Sequence, residues 1–104
     1  LYRLPIDRAG NPAGAPELFA RTGAIDDFEI QPSGVIYATT HGASLLRIGA
    51  DGTVSTALPA GCDSCTRVAV VRRQNRPELV ILTTGDFVSG GNAPARVLAM
   101  PVPR

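Results

Sequence analysis

Two runs decide the fold: Val35-Ile36-Tyr37-Ala38-Thr39-Thr40 and Leu79-Val80-Ile81-Leu82-Thr83-Thr84, which align residue for residue at a shift of 44. A second match lies at the same shift, with Leu1-Tyr2-Arg3-Leu4 and Asp7 answering Leu45-Leu46-Arg47-Ile48 and Asp51. Each run is made of aliphatic, β-branched and aromatic residues, the types that suit a pleated, half-buried surface. A repeat of about 44 residues is the length of one four-stranded propeller blade. A third copy, Val97-Leu98-Ala99-Met100-Pro101-Val102, resembles Leu1 to Ile6 but is displaced by 8 further residues. The Gly-rich stretch Gly85 to Asn92 is the insertion that displaces it.

Outward from these runs, the chain alternates short apolar segments with turn residues. Strands are expected near 1–6, 16–20, 26–31, 34–40, 44–49, 53–57, 66–72, 78–84 and 95–100. Pro32-Ser33-Gly34 and Ala50-Asp51-Gly52 are tight turns, and the Pro-containing stretch 8–16 is a longer one. No segment holds a helical period over 11 residues. The expectation is an all-β chain of propeller blades, about two four-stranded antiparallel sheets. Lettering the strands of a blade A to D from the inside out, 1–20 supplies C and D of one blade. Residues 21–57 form a full blade, and 58–104 form a final blade lacking its outer strand. Closed propellers have about 4 to 8 blades. The chain therefore reads as the C-terminal part of a longer propeller, with the remaining blades supplied by the rest of the chain or by another chain.

Composition removes several functions. The net charge is +1, all ten positive residues are Arg, and they are scattered, so electrostatics gives no reason to expect nucleic-acid binding. No apolar run approaches the roughly 20 residues of a membrane-spanning helix. Cys62-Asp63-Ser64-Cys65 is the sole cysteine pair. With one histidine present, a four-ligand structural zinc site is not expected from this chain. A redox motif would need a following helix. Two readings stay open for the cysteines, a local disulfide or two packed thiols, and with them secreted and cytoplasmic locations both remain open.

Three places carry candidate chemistry. Asp26 and Asp27 are adjacent on an expected strand, so their carboxylates should point to opposite faces. Asp26 is the candidate general base, against the alternative of a strand-start Asp that caps a turn. His41, the lone histidine, follows a strand and is the side-chain type that exchanges protons near neutral pH, against the alternative of a loop imidazole hydrogen-bonded to backbone. The insertion 85–92 offers Asp86, Phe87 and Asn92, against the alternative of a flexible hairpin loop. Together with Asp27 and Thr40 these are the expected substrate-binding residues, with Asp26 and His41 catalytic. With strands lettered as above, Asp26, His41 and the insertion share one rim. Arg72, Arg73 and Arg76 read as a solvated hairpin turn.

The stretch Ile25-Asp26-Asp27-Phe28-Glu29-Ile30, then Ser33-Gly34, then Val35-Ile36-Tyr37-Ala38-Thr39-Thr40-His41 resembles the SMP-30/gluconolactonase-like six-bladed propellers, and most of all their divergent, mainly fungal branch. The Thr83-Thr84-Gly85 run and the Gly-rich loop after it suit the same branch. The resemblance implies a small-molecule substrate at the top of a central channel. In metal-dependent members a divalent cation, calcium or zinc, sits there, and Asp26 matches the position of one carboxylate ligand. Those members usually have Pro-Asp-Gly where this chain has Ile25-Asp26-Asp27, and the other ligands fall in blades outside these residues. The implied activity is hydrolysis of a lactone or ester. The alternatives are a metal-independent natural-product cyclase or pericyclase of the same fold, and a non-catalytic binding propeller.

Overall fold

The computed structural model describes residues 1–62, 64–86 and 89–103. They form nine strands: β1 (Tyr2–Arg3), β2 (Glu17–Leu18), β3 (Phe28–Ile30), β4 (Ile36–Thr39), β5 (Leu45–Ile48), β6 (Val54–Leu58), β7 (Cys65–Arg73), β8 (Arg76–Thr83) and β9 (Arg96–Pro101). Each expected strand contains or overlaps one of these. All pairings are antiparallel between chain neighbours, giving sheets ordered β1-β2, β3-β4-β5-β6 and β7-β8-β9. Thus one sheet is four-stranded, where about two were expected, and it is flanked by sheets of two and three strands. Among the described residues there is no α-helix.

The turns follow from local chemistry. Asp51 accepts the Thr53 amide at 3.0 Å and the Thr53 hydroxyl at 2.8 Å, closing the β5–β6 connection. Asp7, its counterpart at a shift of 44, accepts the amides of Ala9 at 2.8 Å and Asn11 at 2.9 Å. Hydrogen bonding from these N–H groups, Thr53 for Asp51 and Asn11 for Asp7 foremost, holds both carboxyls below their ordinary value. The matched aspartates of the repeat are therefore turn caps. At the β7–β8 hairpin, Gln74 and Asn75 both have positive φ, 49° and 61°. That is the two-residue turn whose twist suits the strands it joins.

The middle sheet is packed on both faces. Every residue of β4 is buried. Tyr37, with Leu45 of β5, packs against Val68, Leu79 and Ile81 of the three-stranded sheet, and the Cys62–Cys65 pair lies in the same cluster. Ile36, Ala38 and Ile48 pack the opposite way, with Ala20, Leu1 and Phe19 beside the two-stranded sheet. Alternation along β4 thus feeds two cores, which explains why the deciding run Val35–Thr40 is continuously apolar up to its threonines. Tyr37 also donates its hydroxyl to the Pro103 carbonyl at 3.3 Å.

Candidate functional site

The site is built where β4 ends. Thr39 is fully buried, and its hydroxyl accepts the Asp27 amide at 3.1 Å and donates to the Asp27 carbonyl at 3.2 Å. The Asp26 amide donates to the Thr39 carbonyl at 2.9 Å. These bonds extend the β3–β4 ladder past Phe28 and hold Asp26 beside the chain leaving β4. Two residues on, His41 turns back with φ of 56°. Its Nε2 lies 3.0 Å from Asp26 Oδ1, and Asp26 Oδ2 accepts the Thr66 hydroxyl at 2.5 Å. Both carboxylate oxygens are therefore engaged by side chains. Asp26 is neither sealed between sheets nor bonded to backbone alone: its side chain is 27% exposed and that of His41 54%.

The backbone at His41 decides what this contact is worth. At a shift of 44, Gly85 follows β8 with φ of 62°, so the same left-handed step recurs. At Gly85 a side chain has no room, because a Cβ would run into the carbonyl of Ala93. At His41 a full side chain is carried in that conformation, at a cost of about 1 kcal/mol. A solvent-accessible ion pair returns about 0–1 kcal/mol. The pair thus does no more than offset the backbone cost at His41.

His41 also lines an open depression of about 440 Å³ with Gly42, Ala43, Ser64, Asp86 and Ser89. Asp86 thus meets His41 on one rim. The Asp86 carbonyl accepts the amides of Ser89 and Gly91, both at 3.0 Å, which folds the insertion onto itself. Asn92 lies apart, in a second depression with Leu82, Thr83 and Thr84. Thr40 is used within its own loop: its hydroxyl accepts the Gly42 amide at 3.3 Å and faces the Ser44 carbonyl at 3.5 Å. Phe87 lies outside the described residues.

Asp27 departs from expectation. Its carboxylate accepts the Val68 amide at 3.2 Å, so both aspartates reach toward β7 rather than to opposite faces. Asp26 and Asp27 both stand opposite Thr39, whose carbonyl accepts the Asp26 amide and whose amide donates to the Asp27 carbonyl, and two residues facing one suspend the strict alternation of a strand. The bond to Val68 makes Asp27 a fastener between sheets. Cys62 and Cys65 are joined as a disulfide, one of the two readings open from sequence. Arg72, Arg73 and Arg76 are exposed at the β7–β8 hairpin.

Sequence reasoning missed Thr66. It lies 40 positions from Asp26 and no motif links them. Among the described residues, no three His, Cys, Asp or Glu side chains gather as metal ligands. Asp26 and His41 supply two donors, whereas zinc takes three or four protein ligands and calcium about 6 to 8 oxygens. The described residues do not by themselves fit a metal centre. Compared with protein-family models, curated proteins and solved structures, the chain matches none.

Chemically, the arrangement suits proton transfer. A carboxylate bonded to one ring nitrogen fixes the orientation of an imidazole and sets which nitrogen carries the proton, here Nε2 by its partner. The other nitrogen is then the free base.

Proposed function

We propose that the chain is part of an SMP-30-like β-propeller enzyme and that Asp26 and His41 perform acid–base chemistry on a lactone or ester at one rim. The propeller reading is supported by the 44-residue repeat, the antiparallel sheets in chain order and the burial of the middle sheet on both faces. On this reading 1–20 ends one blade, 21–57 is a full blade and 58–104 is a blade lacking its outer strand. The observation that carries the chemistry is the 3.0 Å contact between His41 Nε2 and Asp26 Oδ1 on an exposed, strained loop.

His41 Nδ1 takes a proton from water as the water oxygen bonds to the carbonyl carbon. Asp26 stabilises the imidazolium that forms, without itself taking the proton. The tetrahedral intermediate then collapses, the ring C–O or ester C–O bond breaks, and the imidazolium returns its proton to the leaving oxygen. Asp86, which lines the same depression as His41, is read as a substrate-binding residue.

The test is a panel of lactones and esters assayed with the full chain and with Asp26→Asn and His41→Gln. Loss of a general acid–base group should lower turnover about 10²- to 10⁴-fold. The melting temperature of Asp26→Asn should stay within a few degrees, since the pair adds about 0–1 kcal/mol. Full activity in both variants sinks the reading. A second reading, a metal-independent cyclase, is favoured by the engagement of both Asp26 oxygens by His41 and Thr66. It predicts ring closure of a substrate at an unchanged rate in chelator and no hydrolysis of the panel.

A further inference from the structure

Cys62, Ser64, Cys65 and Thr66 together touch each part of the rim. The Cys62 amide donates to the Ala43 carbonyl at 3.2 Å, and the Cys65 carbonyl accepts the His41 amide at 3.2 Å. The Ser64 carbonyl accepts the Thr84 amide at 3.1 Å and the Thr84 hydroxyl at 3.3 Å. One residue past the disulfide, Thr66 donates to Asp26. The β7–β8 register shifts between Cys65 and Arg67, so Thr66 is the unpaired residue of a bulge. A bulge of this kind re-aims a side chain out of the regular ladder. Here it turns the Thr66 hydroxyl onto a carboxylate, at the short end of the charge-assisted range. Both cysteines are fully buried, and a crosslink across so short a loop constrains that loop far more than the chain.

We propose that Thr66 and the disulfide-joined Cys62 and Cys65 are the positioning element of the Asp26–His41 pair. Thr66 orients the carboxylate, and the Cys65 carbonyl fixes the backbone that presents the imidazole. The assignment rests on reading the pair as an acid–base site, but its test needs no turnover. In the full chain, the ring Nε2 proton of His41 is followed by low-temperature proton NMR and assigned by its loss in His41→Gln. An imidazole N–H held by Asp26 gives a resolved signal, whereas a free one exchanges with water.

Thr66→Val keeps the shape and removes the donor, so the ring signal should disappear, while Thr66→Ser should restore it. In the Cys62→Ser/Cys65→Ser double variant, exchange of the His41 backbone amide should accelerate tenfold or more. Should that variant fail to fold, the Val and Ser variants decide alone. Retention of the ring signal in Thr66→Val overturns the proposal, as does its absence from the unsubstituted chain. If the ring signal behaves as expected while Asp26→Asn turns over at the full rate, the positioning stands and the acid–base reading falls.

Discussion

At His41 and Gly85 the same left-handed step is taken once with a side chain and once without. His41→Gly should therefore remove about 1 kcal/mol of backbone strain while forfeiting about 0–1 kcal/mol of ion pairing. The expected outcome is a melting temperature unchanged or raised, with turnover lost, measured by thermal melts beside the ester panel. Asp51 gives a prediction in pH. Its carboxyl is held below its ordinary value of 3.8, chiefly by the Thr53 amide, so the folded turn favours the ionised form. Its contribution is complete above 3.8 and is lost as pH falls through the lower folded midpoint. The Thr53 amide resonance should titrate with a midpoint below 3.8, and Asp51→Asn should abolish that titration. The roles of such residues are unevenly visible in sequence. Residue type and rim placement singled out Asp26 and His41, and the shift of 44 singled out Asp7 and Asp51. Thr66 stayed hidden because a bulge on a distant strand aims it, and a bulge leaves no periodic trace.

At the scale of the element, β4 and β8 occupy matching places, and their terminal threonines, Thr39 and Thr83, are both buried. Thr39 bonds the Asp27 backbone, and the Thr83 hydroxyl accepts the Arg96 amide at 3.1 Å. Each threonine closes the strand end with a side chain where the ladder runs out. Thr39→Val strands a partly buried amide at Asp27, so it should cost about 1–3 kcal/mol, as should Thr83→Val at Arg96. Urea unfolding of the full chain checks both, and equal stability of either variant would show that water replaces the bond. Strand positions were readable because period-2 runs stop at Gly, Pro and Asp. Strand ends were less so. A start at 78 was expected, yet β8 begins at Arg76, because the two-residue turn at Gln74-Asn75 carries the pairing up to Arg73–Arg76. Conversely, β1 and β2 are two residues each, flanked by Pro5 and Pro16, which cannot donate to a ladder.

The whole molecule is more open than its mass requires. Its radius of gyration is 15.1 Å, against about 13 Å for a compact domain of this length. Its accessible surface is 6908 Å², where a folded monomer of 10.8 kDa exposes about 5,500 Å². The excess has a location. The β1-β2 sheet has two strands and covers only part of the face offered by the four-stranded sheet. Phe28 and Ile30 on β3 remain 44% and 57% exposed, in a groove shared with Leu1, Tyr2 and Phe19. At the other end, β9 presents a free edge carrying Val97. An uncovered apolar face and an unpaired edge both drive association in water. The 104-residue polypeptide alone should therefore self-associate, with a weight-average mass in sedimentation that rises through the micromolar range. Substituting Phe28→Ser and Ile30→Thr should move that rise to concentrations about tenfold higher, each kcal/mol or so of lost apolar contact counting severalfold in the association constant. A concentration-independent monomer with one sharp two-state melt would show instead that the three sheets bury enough among themselves.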